Sequence, residues 1–597
     1  MPGPMNRRMN GVREKGSFTK NMGKLLRYCK KYWGWLIFSL LLGVVGVVSQ
    51  IVLPDKLKEI TNIISQGIAS GTTDIDAVTR ICVLMLSLIV AGAVFTYFQQ
   101  YIATVTTQRM VKGFRKDISN KINRLPLNYF DTHLHGDVLS VVTNDVDTIG
   151  QSLNEGLGTL FGSTLLLLGV LLMMFITDWI LAFTVIGTAI IGFLLSLIFL
   201  TKSQKYFNQT QQNMGELNAH IEEAYSGQNV VRLYNAEEQT AKEFDRISKK
   251  LFNSGWKSQF LSGVMGPVMG FIGNLTYVAV CIVGAVLAST RGLSYIGVIV
   301  AFMLYARFFS RPLSSIAQAL TSLQSASAAS GRVFAFLESE ELADESEKKE
   351  QLKSVEGNVS FEHVHFGYNP DKIIIKDFSV DIKAGQKVAI VGPTGAGKTT
   401  LVNLLMRFYE LNAGDIKIDG VSTKQMKREE VHSLFGMVLQ DTWLFEGSIR
   451  ENLQFNCKDV TEDQLDRVCQ AVGIDHYIKT LPNGYDTVVD DAIKMSAGQK
   501  QLLTIARTML QRCPMIILDE ATSSVDTRTE ILLQNAMDKI MEGRTSFIIA
   551  HRLSTIKNAD MILVLKDGDI VEKGNHEELL AKGGAYAELY NSQFEEE

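Results

Sequence analysis

Ala389 to Leu401 reads AIVGPTGAGKTTL, in which Gly392-Pro393-Thr394-Gly395-Ala396-Gly397-Lys398-Thr399 fits G-x-x-x-x-G-K-[ST]. The apolar run Lys387 to Val391 predicts a strand before the motif, and Thr400 to Phe408 predicts a helix after it, which is the setting the motif needs. Its chemistry follows from its residue types. Glycines let successive backbone N–H groups turn towards β-phosphate oxygens at a helix N-terminus, Lys398 brings a point charge between β- and γ-phosphates, and the Thr399 hydroxyl suits Mg²⁺. Downstream, Met515-Ile516-Ile517-Leu518-Asp519-Glu520 reads as a strand buried on both faces that ends in two acids. The carboxyl end of such a strand is where an α/β sheet presents ligand-binding groups. Asp519 could hold Mg²⁺ through water there, and Glu520 could polarise an attacking water.

The half of the chain before this loop is built for lipid. A helix across about 30 Å of hydrocarbon needs roughly 20 apolar residues. Trp33–Leu53, Ile81–Phe98, Leu157–Ile176, Ile180–Leu200 and Val264–Leu287 carry no Asp, Glu, Lys or Arg, and the shorter run Tyr295–Phe309 carries Arg307. Ahead of Trp33 an arm holds nine Lys or Arg against the single acid Glu14, which sets it in the cytoplasm by the positive-inside rule. The tight turn Thr177-Asp178-Trp179 holds no basic residue. Six spans return the chain to the cytoplasm, where an ATP site meets its nucleotide. The arm lacks the shape of a cleavable signal, so the first run is expected to stay as an anchor.

Between spans two and three, and again between four and five, more than fifty residues rich in helix formers separate the runs. The spans are therefore expected to continue as long helices into the cytosol. Their tips are expected near Tyr129 to Asp137 and near Ala224 to Gly227, within coupling regions at 125–146 and 222–238. An acidic, polar stretch then marks a linker. The expected layout is an N-terminal arm over 1–32, a membrane domain over 33–338, a linker over 339–356 and a nucleotide-binding domain over 357–597. The fold class is multidomain: an all-α six-helix transmembrane domain with long cytosolic helical extensions, fused to an α/β P-loop nucleotide-binding domain. The formal net charge of −4 argues against nucleic acid as a partner, and six scattered cysteines without a C-x-x-C read as reduced thiols.

Met495-Ser496-Ala497-Gly498-Gln499, about twenty residues before the Asp519-Glu520 pair, resembles the signature of ATP-binding cassette (ABC) transporters. Other family elements match in order. Tyr368, thirty residues before Lys398, resembles the aromatic residue that stacks on adenine. Gln440 resembles the Q-loop glutamine that reaches Mg²⁺, Ser523-Ser524-Val525-Asp526 the D-loop, and His551 the switch histidine. Over essentially the whole chain the resemblance is to an exporter-type half-transporter.

The resemblance implies that two nucleotide-binding domains close head to tail. Each ATP, with Mg²⁺ at Thr399, Gln440 and Asp519, then lies between Gly392–Thr400 of one subunit and Ser496–Gln499 of the other. It implies Glu520 as general base and His551 as a γ-phosphate contact, with Asp526 also at the nucleotide. The signature departs from the family at Ala497, which stands where a glycine is usual, and at the stretch Asp490 to Lys494 before it. An intact Glu520 beside an altered signature favours a heterodimer over a homodimer. The expected function is ATP-driven export of an apolar or amphipathic small molecule, such as a drug or lipid, from a multi-pass protein of the cell membrane. An ATP-gated channel and a peptide exporter are the alternatives on this architecture. Phe175, Met173, Met174, Met265, Met269, Phe302 and Met303 could line an adaptable pocket, with lipid contact or helix packing as their simpler use.

Overall fold

A computed structural model describes residues 17–348, 350, 352, 354–369, 372–440, 442–455, 457, 459–489, 495–519, 527–550 and 553–594. These divide into two compact units, one made of Met1–Asn123 with His135–Ser339, the other of Arg124–Leu134 with Glu340–Glu597.

The helices of the first part of the chain are α1 (Ser17–Cys29), α2 (Trp33–Ser70), α3 (Ile75–Ile122), α4 (Leu127–Thr132), α5 (His135–Ser140), α6 (Val146–Thr177), α7 (Trp179–Ser226), α8 (Gln228–Leu233), α9 (Glu237–Arg291) and α10 (Tyr295–Leu337). Six of the long helical stretches are long and apolar enough to cross a membrane, and they contain the six runs read from the sequence. Each helix runs well past its apolar run, because polar helix formers continue the backbone hydrogen-bond ladder where no lipid requires apolar side chains. The breaks fall at Asn123 to Leu134 and at Gly227 to Ala236, where Gly, Pro and Asn interrupt the pattern.

Within the first unit, α7 pairs with α9, α6 with α10, and α2 with α3. Its core gathers on α10, where Ala301, Phe302, Tyr305 and Ala306 meet Val170 and Met174 of α6, Leu181 and Val185 of α7, and Val280 of α9. This explains the weak hydropathy signal of the sixth span: it faces helices rather than lipid, so it needs less apolar surface. Met174 and Phe302 are fully buried there and serve packing, whereas Phe175 and Met269 are exposed in this chain. Ion pairs tie helix ends. Asp178 caps α7 by accepting from the amides of Ile180 at 2.9 Å and Leu181 at 3.1 Å, and it pairs with Arg291 at the end of α9 at 2.5 Å. Arg332 of α10 grips the buried Asp145 with two bonds, at 2.9 and 2.5 Å.

The second unit is α/β. Its strands are β1 (Val359–Phe366), β2 (Ile375–Ile382), β3 (Lys387–Val391), β4 (Ala413–Ile418), β5 (Val421–Ser422), β6 (Phe435–Val438), β7 (Gly447–Ser448), β8 (Val488–Val489), β9 (Met515–Asp519), β10 (Thr545–Ile549), β11 (Met561–Lys566) and β12 (Asp569–Gly574). The main sheet has the order β12-β11-β3-β10-β9-β6, parallel except at β12, and an antiparallel sheet has the order β2-β1-β4-β5. On β3, Ala389 and Val391 enter the core on one face of the main sheet while Val388 and Ile390 enter the core on the other. A strand covered on both faces has no polar side to show, which is why β3 and β9 read as unbroken apolar runs.

Candidate functional site

Four adjacent parallel strands, β3, β10, β9 and β6, finish on one edge of the main sheet. β3 runs into the glycine-rich loop, β9 ends at Asp519, and the exposed Gln440 lies two residues beyond β6. β10 ends two residues before His551. The edge thus gathers oxygen donors and a phosphate loop at the place where α/β sheets bind ligands.

The loop's shape depends on glycine at two points. Gly392 has φ +153, and a Cβ there would sit 2.3 Å from the Leu565 carbonyl oxygen. Gly397 has φ +101 and would bring a Cβ within 2.8 Å of Ile375 Cδ1. Both positions lie in the region that side chains with a Cβ avoid, so the backbone can wrap inward only with glycine. Helix α11 (Lys398–Leu405) starts directly after Gly397, two residues earlier than its apolar pattern suggests. Its free N–H groups and its dipole favour an anion at that end.

Lys398 is buried, and its Nζ donates to the carbonyls of Gly392 at 2.6 Å and Pro393 at 3.3 Å. Burial pushes its pKa below the usual lysine range, and the charge of Asp519 offsets part of that shift. Thr399 is exposed in the first turn of α11, and Thr400 is buried and accepts a 3.3 Å hydrogen bond from the Tyr368 hydroxyl. Thr394 and Gly395 are exposed, Ala396 is buried, and Pro393 is exposed, so the loop offers backbone rather than side chains. Tyr368 keeps 37% of its surface exposed and sits edge-on to Phe366, with ring centroids 5.0 Å apart. Part of the ring is thus open to solvent.

The signature opens a helix, Ala497–Gln511, with Ser496 as its N-cap. Ser496 Oγ accepts from the Gln499 amide at 3.2 Å, and Gln499 Oε1 accepts from the Ser496 amide at 2.9 Å. The cap uses a lone pair of the hydroxyl, so its proton remains able to donate. Met495 anchors the turn in the core, and Gly498 is buried. The helix begins at Ala497, directly after its cap. Glu520, His551, Asp526 with the rest of Ser523–Asp526, and Asp490 to Lys494 lie outside the described residues.

Sequence reading missed Tyr409, whose hydroxyl donates to Asp131, and Arg407, which binds Glu345 at 2.7 Å. No sequence signal marks the first pair. Glu345 was hidden in an acidic run that resembles free linker, but it is largely buried against Arg407 and Arg428.

Residues 36–313 match the family described as "ABC transporter transmembrane region" and residues 375–523 the family described as "ABC transporter". The chain is 44% identical over 517 residues to a fatty acid ABC transporter ATP-binding/permease protein of Mycobacterium bovis, covering 86% of this chain and 82% of that one. It is 35% identical to a probable multidrug resistance ABC transporter ATP-binding/permease protein of Bacillus subtilis, covering 85% of this chain and 75% of that one. A bacterial Atm1-family ABC exporter solved with ATP bound superposes with a TM-score of 0.72 at 26% identity, covering 94% of this chain and 98% of that one. The class is therefore a multi-pass membrane protein with a cytosolic ATP-binding domain. This chain belongs to the ABC transporter family as an exporter-type half-transporter, of a fold that works as a dimer.

Proposed function

We propose that the chain is one half of an ATP-driven exporter that carries an apolar or amphipathic molecule, a fatty acid, lipid or drug, from the cytoplasm or inner leaflet by alternating access. The observation that carries this reading is the buried Lys398 held on loop carbonyls at 2.6 and 3.3 Å, in a chain with six membrane-length helices. Phosphate oxygens can replace those carbonyls as partners without moving the ammonium into water. Tyr368 stacks on adenine, and Gly392, Pro393, Thr394, Gly395, Ala396, Gly397 and Thr400 shape the phosphate cradle. Thr399, Gln440 and Asp519 present oxygen donors that suit a hard cation, so Mg²⁺ fits; bound there it would neutralise charge on the phosphates. Glu520 acts as general base and His551 holds the γ-phosphate in line.

In the assembled pair, Ser496, Ala497, Gly498 and Gln499 of one subunit face the nucleotide of the other, and Asp526 lies at the same junction. Ser496 then donates its free proton to the γ-phosphate at the N-terminus of its helix. Ala497 adds a methyl where backbone must approach phosphate closely, which weakens this chain's contribution across the interface. The fatty acid and multidrug names of its relatives agree with spans that hold few charges.

The weakened signature beside an intact Glu520 favours a heterodimer whose partner carries the reverse pattern. Purified alone, this chain should show little ATPase activity, and addition of its partner half-transporter should restore it together with stimulation by fatty acids or amphipathic drugs. A stable dimer of this chain alone, with full substrate-stimulated activity, would show a homodimer instead.

A further inference from the structure

We propose that Tyr409 is a positioning residue that passes the state of Tyr368 to the 124–134 segment through its hydrogen bond to Asp131; this rests on the reading of Tyr368 as the adenine-stacking residue.

The geometry begins where α11 ends. Arg407 adopts φ +54, a left-handed conformation that side chains with a Cβ rarely take. Its guanidinium is buried and fixed by the Met426 carbonyl at 2.8 Å, by Glu345 at 2.7 Å and by Glu410 at 2.9 Å. The turn this produces aims Tyr409 back at the base side of the site. Its ring stands edge-on to Tyr368, with centroids 4.9 Å apart at 85°, and to Phe366 at 5.7 Å and 60°. Tyr368 in turn reaches Thr400 of α11. One aromatic cluster therefore joins the two ends of the phosphate-loop helix.

The outer end of that cluster is polar. The Tyr409 hydroxyl donates to Asp131 on α4, and burial together with that carboxylate pushes the hydroxyl's pKa upward, so it remains a donor at any physiological pH. The backbone carbonyl of Arg124, just ahead of α4, accepts from the Leu342 amide at 2.9 Å. The stretches 124–134 and 340–348 are the two by which the chain enters this unit, and they are bonded to each other. Both are held by a three-residue turn, Asp131 on Tyr409 and Glu345 on Arg407. A base stacked on Tyr368 fixes the ring that Tyr409 abuts, and the only polar group Tyr409 can bias is its hydroxyl. The receiving segment runs directly into α3 on one side and α5 on the other.

The test uses the full chain in its assembled complex and follows hydrogen exchange in 124–134 on adding a non-hydrolysable ATP analogue. A hydrogen bond to a charged group is strong enough that its tightening should slow exchange about tenfold. Inorganic tripolyphosphate, which has no base to meet Tyr368, should leave exchange there unchanged. Tyr409→Phe keeps the ring and removes the hydroxyl; it should cut the analogue's effect to less than about twofold while the analogue still binds. Asp131→Ala should do the same, and the double variant should be no worse than either single one. An undiminished effect in Tyr409→Phe, an equal effect of tripolyphosphate, or no effect in the wild type with analogue bound would each overturn the proposal. Failure of the wild type to bind the analogue at all would instead remove the functional reading, and this proposal with it.

Discussion

Glu520→Gln should leave ATP binding intact and lower ATP turnover about 10²- to 10⁴-fold, equivalent to roughly 3–5 kcal/mol of barrier. The residue directly follows Asp519, the last residue of a strand whose four preceding residues are all buried. Neighbouring parallel strands deliver the phosphate loop and Gln440 to the same edge of the sheet. A carboxylate in that sequence position can take a proton from water as it attacks the γ-phosphate; an amide of the same shape cannot. The substitution keeps volume and hydrogen-bonding capacity, so binding should survive. Nucleotide affinity by equilibrium titration and single-turnover hydrolysis in the assembled complex separate the two quantities. Near wild-type hydrolysis would assign the base elsewhere.

Lys398→Ala should weaken ATP binding about tenfold to a hundredfold, the range expected when a charge-assisted contact is lost. The folded protein should not suffer in proportion. Burial disfavours the charged form of Lys398, as the downward shift of its pKa records, so the lysine is held at a cost that its removal relieves. Thermal unfolding without nucleotide should therefore change little, while the stabilisation produced by added ATP disappears. Unchanged ATP affinity in this variant would contradict the role of the lysine.

The strands were legible because both of their faces are covered. Val388–Val391 and Met515–Leu518 are apolar without alternation, and the structure sets strands at Lys387–Val391 and Met515–Asp519, the second read from the sequence as Met515 to Glu520. Helix starts were less legible. Helix α11 begins at Lys398, two residues ahead of where the apolar pattern places it, since loop geometry at Gly397 fixes its start, and the cap at Ser496 fixes the start of the Ala497–Gln511 helix. The Ser496 and Gln499 spacing of a capping box was available as a signal for the second. Membrane helices announced their apolar middles by hydropathy and their long cytosolic extensions by runs of helix formers, whereas the exact helix ends carry no hydropathy mark. Asp131 lies in the tip expected near Tyr129 to Asp137, but its bond to Tyr409 was out of reach, because the partners are 278 residues apart and nothing in the sequence marks Tyr409. Glu345 shows the same limit, because a buried acid and a solvated one look alike in an acidic run.

On the proposed function, ATP hydrolysis at this sheet edge moves a solute through the six helices. The complex should be reconstituted in vesicles with its nucleotide-binding domains outward and given ATP with a labelled fatty acid or amphipathic drug. Solute should accumulate inside the vesicles against its gradient in step with ATP consumed, and Glu520→Gln should abolish the accumulation. ATP consumption at wild-type rate with no accumulation of any compound from these classes would contradict it.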